Sequence, residues 1–139
     1  MIPTPAPLFR LALRVYWEDT DAAGIVFYAN YLKFFERART EWLRSLGVAQ
    51  GRLKEEAGGM FVVSETSVRY LAPARLDDEL LVTAQLQESG RASLIIVQEA
   101  RRGTTLLAIG TIRIGWVDAA TLRPGRIPDA ILSVLAKKA

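Results

Sequence analysis

From Leu8 to Trp17 large apolar residues alternate with others, setting Phe9, Leu11, Leu13, Val15 and Trp17 on one side of an extended chain. A period of two predicts a first β-strand with one buried face. The alternation stops at Glu18, and Glu18 to Gly24 is acidic, small or glycine, the composition of a loop. From about Tyr28 to Leu46 the period becomes helical. Tyr31, Phe35, Ala38, Trp42 and Leu46 recur at steps of three and four, while Lys33, Glu36, Arg37, Arg39, Glu41 and Arg44 fill the other face. Leu32, Phe34 and Leu43 broaden the apolar side, so this helix should be wrapped on more than one side. Gly47 supplies its C-terminal stop.

Gly51 to Gly59 is polar and reads as a loop with a short helical turn. Four strands are then predicted at Met60–Tyr70, Glu79–Glu88, Ala92–Arg101 and Thr105–Val117, all rich in Val, Ile, Leu and Thr. Turn chemistry separates them at Ala72-Pro73-Ala74, Leu76-Asp77-Asp78, Glu88-Ser89-Gly90-Arg91 and Arg102-Gly103-Thr104. The short breaks between the last three strands predict antiparallel hairpins. Residues 118–128 form a loop, and Asp129 to Lys138 suits a short terminal helix, with Pro128 near its first position and Lys137 and Lys138 at its favourable end. There is no repeat and no linker. One strand, one long apolar helix and four further strands predict a single α+β domain over residues 1–139.

Composition then narrows the chemistry. Half of the residues are apolar and 24% are charged, the balance of a globular protein. The net charge of +3 comes from eighteen basic against fifteen acidic residues, with no run of Lys or Arg longer than two. Such a mild, dispersed excess gives no nucleic-acid face, but it suits an anionic small molecule carrying phosphates. No window approaches the 18 uninterrupted apolar residues of a membrane span, and the lead with Pro3, Pro5 and Pro7 lacks the basic and apolar parts of a secretory signal. The expected location is the cytoplasm, without membrane insertion. The chain has no cysteine and no histidine. Thiolate and His-based metal sites, Ser-His-Asp chemistry and imidazole bases are therefore excluded together.

Carboxylates remain as the general bases available near neutral pH. Asp19 and Asp21 lie in the loop ahead of the long helix, where acidic residues also serve as ordinary caps. The residues after Asp21 favour chemistry. Gly24 permits a tight turn or a close approach to a ligand. Ile25-Val26-Phe27 then walls the helix start with apolar side chains where polar caps would be usual. Free N–H groups at such a start can polarise a carbonyl, and a carboxylate just upstream can attack it or activate water. These parts fit acyl transfer or hydrolysis.

The stretch DTDAAGIVFYANYLKFFERARTEWL resembles the signature of hotdog-fold acyl-CoA thioesterases of the 4-hydroxybenzoyl-CoA thioesterase type, a family that includes Tol-Pal-associated thioesterases. The pattern D-x-x-G-I-V-[FYW]-[HY]-x-N-[YF], running directly into a helix, is specific in combination, and the strand spacing agrees along essentially the whole chain. The resemblance implies a five-stranded antiparallel sheet curled around the long helix. It also implies a homodimer with sheets joined edge to edge, further paired as a dimer of dimers, and hydrolysis of an acyl-CoA without metal or cofactor. Asp21 matches the family's catalytic aspartate, as nucleophile or as base for water. Tyr28 matches the helix-start position whose N–H contacts the thioester carbonyl. Gly24, Ile25 and Val26 match the turn that shapes the substrate site, Phe27 joins Tyr28 at the substrate-binding helix start, and Asn30 and Tyr31 match the first helical turn of the motif. Many Tol-Pal-associated members have His where this chain has Tyr28, whereas the aryl-CoA enzyme has Tyr, so Phe27-Tyr28 tilts toward an aromatic acyl group.

Arg91, in the Glu88–Ser93 turn, lies where the family places cations for the CoA phosphates, with Arg101, Arg102, Arg126, Lys137 and Lys138 as further candidates. Ser64 and Thr66 are candidate lining of the acyl site. Glu36 and Glu41 read as solvated or salt-bridged helix residues, and Trp17, Trp42 and Trp116 as core or interface. A dehydratase on this fold would need a histidine that the chain lacks. The other alternative is a non-catalytic hotdog module that binds acyl-CoA.

Overall fold

The computed structural model describes residues 8–138, with side chains to residue 136; Met1–Pro7 and the side chains of Lys137 and Lys138 lie outside this description. The elements follow in the order β1 (Phe9–Arg14), α1 (Asn30–Ser45), α2 (Gln50–Glu56), β2 (Gly59–Tyr70), β3 (Glu79–Ser89), β4 (Ser93–Arg102), β5 (Thr105–Asp118) and α3 (Asp129–Lys138). All strand pairs are antiparallel in one five-stranded sheet of order β1-β3-β4-β5-β2. Hairpins join β3 to β4 and β4 to β5, as the short turns predict. β2 instead crosses to the far side of β5, pairing Met60 with Val117 and Tyr70 with Ala108. It therefore forms one edge of the sheet, and β1 forms the other.

The sheet curls around α1. Phe34, Phe35, Ala38 and Leu43 of the helix are fully buried, together with Leu80, Val82, Leu94 and Ile96 of the strands that face them. Gly110 on β5 sets how closely the layers approach, since a β-carbon there would lie 2.9 Å from Cε2 of Phe35. This α+β arrangement of one long helix in the hollow of a five-stranded sheet is the hotdog architecture.

Four sequence expectations change. β1 ends at Arg14, and Trp17 falls in a 3₁₀ turn (Trp17–Asp19) where it is 78% exposed, not on the inner face of a strand. The turn is held because the Asp19 carboxylate accepts the Tyr16 N–H at 2.8 Å, bending the chain before the alternation can continue. α1 begins two residues after Tyr28. Most of Gly51 to Gly59 is the helix α2, anchored by buried Leu53. Arg39, assigned by periodicity to the polar face, is buried, and donates to Gln98 Oε1 at 3.0 Å. A polar residue can occupy a buried helix position when a partner across the layer satisfies it.

Candidate active site

The loop ahead of α1 is closed by its own backbone. Thr20 and Val26 form an isolated antiparallel bridge. Between them, the Asp21 N–H donates to the Ile25 carbonyl at 2.9 Å, and the Gly24 N–H donates to the Asp21 carbonyl at 3.0 Å. Gly24 closes the turn at φ +79°, a left-handed conformation that a β-carbon disfavours. Asp21 is exposed. One of its carboxylate oxygens accepts the Ala23 N–H at 2.8 Å, and the other has no partner among the described residues. The loop is also fastened to the segment after β2, through Val26 N–H to Ala74 O at 2.9 Å and a bridge between Ile25 and Arg75.

Asp19 has a different task. Its carbonyl accepts the Phe27 N–H and the Asn30 side-chain amide, both at 2.9 Å, so it ties the loop to the first turn of α1. The helix start itself carries no side-chain cap, because Ala29 occupies the N-cap position. Behind it the carbonyls are engaged: Phe27 O accepts the Asn30 N–H at 2.8 Å, and Tyr28 O accepts the Tyr70 hydroxyl at 3.0 Å. In front, the N–H groups of Tyr28 and Ala29 have no partner among the described residues. Two unengaged donors at the positive end of a 16-residue helix make an anion- or oxyanion-stabilising pair.

Of these two donor residues, Tyr28 lines a cleft of about 280 Å³, together with Ile25, Val26, Tyr31, Tyr70, Leu71, Ala72 and Pro73. Three tyrosine rings form part of its wall. Tyr70 meets Tyr28 edge-on with centroids 6.0 Å apart and Tyr31 at 5.5 Å, and Phe27 leans on Tyr28 at 4.8 Å. The Tyr31 hydroxyl accepts the Ala74 N–H at 3.2 Å, and burial pushes its phenol above the ordinary range in spite of that bond. Burial, helped by neighbouring Tyr28, also raises the Tyr70 phenol. Both phenols are thus neutral groups at physiological pH.

The structure brings Ile25, Val26, Tyr28 and Tyr31 together in the cleft and sets Phe27 against it. Asp21 and Gly24 lie in the adjoining turn, outside the lining. Asn30 spends its amide on Asp19. Ser64 stands apart on exposed β2, its hydroxyl 3.4 Å from the Arg113 carbonyl. Arg91 is also apart, exposed in the β3–β4 turn with its carbonyl accepting the Ile127 N–H at 2.8 Å. Among the other candidate cations Arg101 pairs with Glu99, Arg102 with Asp78, and Arg126 with Asp129. The sequence pattern does not mark Tyr70 to Pro73 as part of a site, since Ala72-Pro73-Ala74 has the composition of a plain turn. The available signal was a large aromatic ending a strand immediately before it.

Residues 15–135 match the family model of the thioesterase-like superfamily. An acyl-CoA thioesterase YbgC of Haemophilus influenzae is 41% identical over 123 residues, covering 88% of this chain and 90% of that protein. An acyl-CoA thioester hydrolase YbgC of Escherichia coli is 40% identical over 127 residues, covering 91% and 94%. The crystal structure of a probable thioesterase from Bartonella henselae superposes with a TM-score of 0.84 at 30% identity, over 88% of this chain and 100% of that one. With the helix in its curled sheet and the sequence matched from the end of β1 into α3, the chain belongs to the thioesterase-like superfamily of hotdog proteins.

Proposed function

We propose that the chain hydrolyses acyl-CoA thioesters, with Asp21 as the reacting carboxylate and the Tyr28 and Ala29 N–H groups receiving the thioester oxygen. The observation that carries this reading is the pair of unengaged donors at an aromatic cleft, one tight turn away from a carboxylate with a free oxygen. The Asp21 oxygen adds to the thioester carbonyl, or takes a proton from the water that does. Negative charge then develops on the carbonyl oxygen, where the two N–H groups and the helix dipole stabilise it most. The C–S bond breaks, the CoA sulfur leaves as thiolate and collects a proton, and water completes release of the acid. The scheme calls on no metal and no cofactor besides the CoA of the substrate. An aromatic or short acyl group suits the walls formed by Tyr28, Tyr31 and Tyr70. The working unit is a homodimer joined along β2, with cations such as Arg91 reaching the CoA phosphates.

A non-catalytic acyl-CoA binder is the weaker reading, because the charge of Asp21 does nothing for the fold. Its single bond, to the Ala23 N–H, would be made equally by asparagine. Free-thiol release from a panel of benzoyl, short-chain and long-chain CoA esters separates the two. Hydrolysis predicts turnover that disappears in Asp21→Asn, and binding without thiol release from any ester would overturn it.

A further inference from the structure

We propose that Tyr70 is a positioning residue for this hydrolysis, acting through the Tyr28–Ala29 peptide group; the inference rests on the thioesterase reading above. The carbonyl of Tyr28 and the N–H of Ala29 are two ends of one planar unit. The Tyr70 hydroxyl donates to the carbonyl end at 3.0 Å, while the N–H end is one of the two unengaged donors. A hydrogen bond at one end of a peptide fixes the plane and polarises the other end, so the Ala29 N–H becomes a better aligned and stronger donor. The helix supplies little of this by itself, since the Tyr31 N–H reaches the same carbonyl only at 3.4 Å.

Tyr70 can hold the peptide because it belongs to a different and rigid element. It ends β2 opposite Ala108, and the next N–H, of Leu71, is fixed to Leu107 O at 2.8 Å. Its ring is braced edge-on between Tyr28 and Tyr31, and its raised phenol keeps the donated proton through neutral and mildly alkaline pH. The residue is 46% exposed, so it contributes little core, and removing its hydroxyl alone leaves the packing in place.

The test is Tyr70→Phe, compared with wild type and Tyr70→Leu in a thiol-release assay on benzoyl-CoA. Phenylalanine keeps the ring and removes the donor. Expected is a kcat lower by about fivefold to tenfold, the size of one neutral hydrogen bond lost behind the donor, with KM and melting temperature unchanged. The Ala29 amide proton should shift upfield in the NMR spectrum, a change that loss of packing alone would not produce. Tyr70→Leu should raise KM as well, because it removes a cleft wall. A Tyr70→Phe enzyme with wild-type kcat, or one altered only in KM, overturns the positioning role while leaving the hydrolase intact. A wild type that releases no thiol from any ester overturns the hydrolase reading, and this role falls with it.

Discussion

Two aspartates stand two positions apart in the same loop and do opposite things. Asp19 is 6% exposed, and its carboxylate and carbonyl together hold Tyr16, Phe27 and Asn30. Asp21 is exposed and its carboxylate makes one local bond. On the proposed hydrolysis, replacing Asp21 by Asn should lower thiol release by about 10²- to 10⁴-fold, the usual contribution of a group that handles the proton or the nucleophile, with an unchanged urea midpoint. Replacing Asp19 by Ala should do the reverse. It strands the Tyr16 N–H and should cost about 1–2 kcal/mol in urea unfolding, with kcat falling far less than in Asp21→Asn. Equal activity losses in the two variants would remove the distinction. The motif pointed to Asp21 because every relation that singles it out, to Gly24 and to the helix start, is local in sequence. Tyr70 was not legible in the same way, since it reaches Tyr28 from 42 residues away along a strand that contacts the loop only once the chain is folded.

Helix α1 is held in the sheet by one polar fastening inside an otherwise apolar layer. Gln98 on β4 donates to Phe35 O at 2.8 Å and to Thr83 O at 3.1 Å, and accepts from buried Arg39 at 3.0 Å. Burial presses the Arg39 guanidinium below its ordinary range, with nearby Glu36 acting in the other direction. Gln98→Leu leaves that cation buried without its acceptor and should cost about 3 kcal/mol in urea unfolding. The double variant Arg39→Met, Gln98→Leu removes charge and acceptor together and should recover most of the loss; a double variant as unstable as the sum of the singles would refute the coupling. Gly110→Ala tests the apolar side of the same contact. Its methyl would press on Phe35, and the expected loss is about 1–3 kcal/mol from overpacking. Periodicity located all five strands and α3, because alternation and turn residues report local conformation directly. It misplaced Arg39 because a period registers polarity and not partners, and the partner lies 59 residues on. It was equally silent on β2 pairing with β5, a choice made by the curl of the sheet around α1.

Among the described residues the two edges of the sheet are unlike. β1 is short, whereas β2 runs for twelve residues with most of its side chains exposed. Val62, Val63 and Tyr70 along it, Leu71 just after it, and Phe27, Tyr28 and Leu32 at the helix start are all exposed large hydrophobic residues. A long edge with unpaired backbone groups and apolar side chains recruits another strand unless it is covered. A second β2 running antiparallel would cover it, and the rim of the aromatic cleft lies along the same strand through Tyr70. Dimerisation and catalysis should then fail together. Val63→Lys places a charge near the centre of that edge, and sedimentation equilibrium is expected to give a dimer for the wild type and a monomer for the variant. Its thiol release should drop with the fraction of dimer and rise again with protein concentration. Acid should act on stability through Asp78, beyond β2. There burial opposes ionisation, but the Arg75 N–H and the Arg102 guanidinium outweigh it and hold the carboxyl below its ordinary value. A carboxyl depressed on folding stabilises the native state above its unfolded pKa, and the contribution is lost as pH falls through the lower folded value. Melting temperature should therefore fall as pH drops below the ordinary carboxylate range, and less steeply in Asp78→Asn. Monomeric wild type, or a Val63→Lys monomer with full activity at every concentration, would detach the β2 edge from the chemistry and leave the single chain as the catalytic unit.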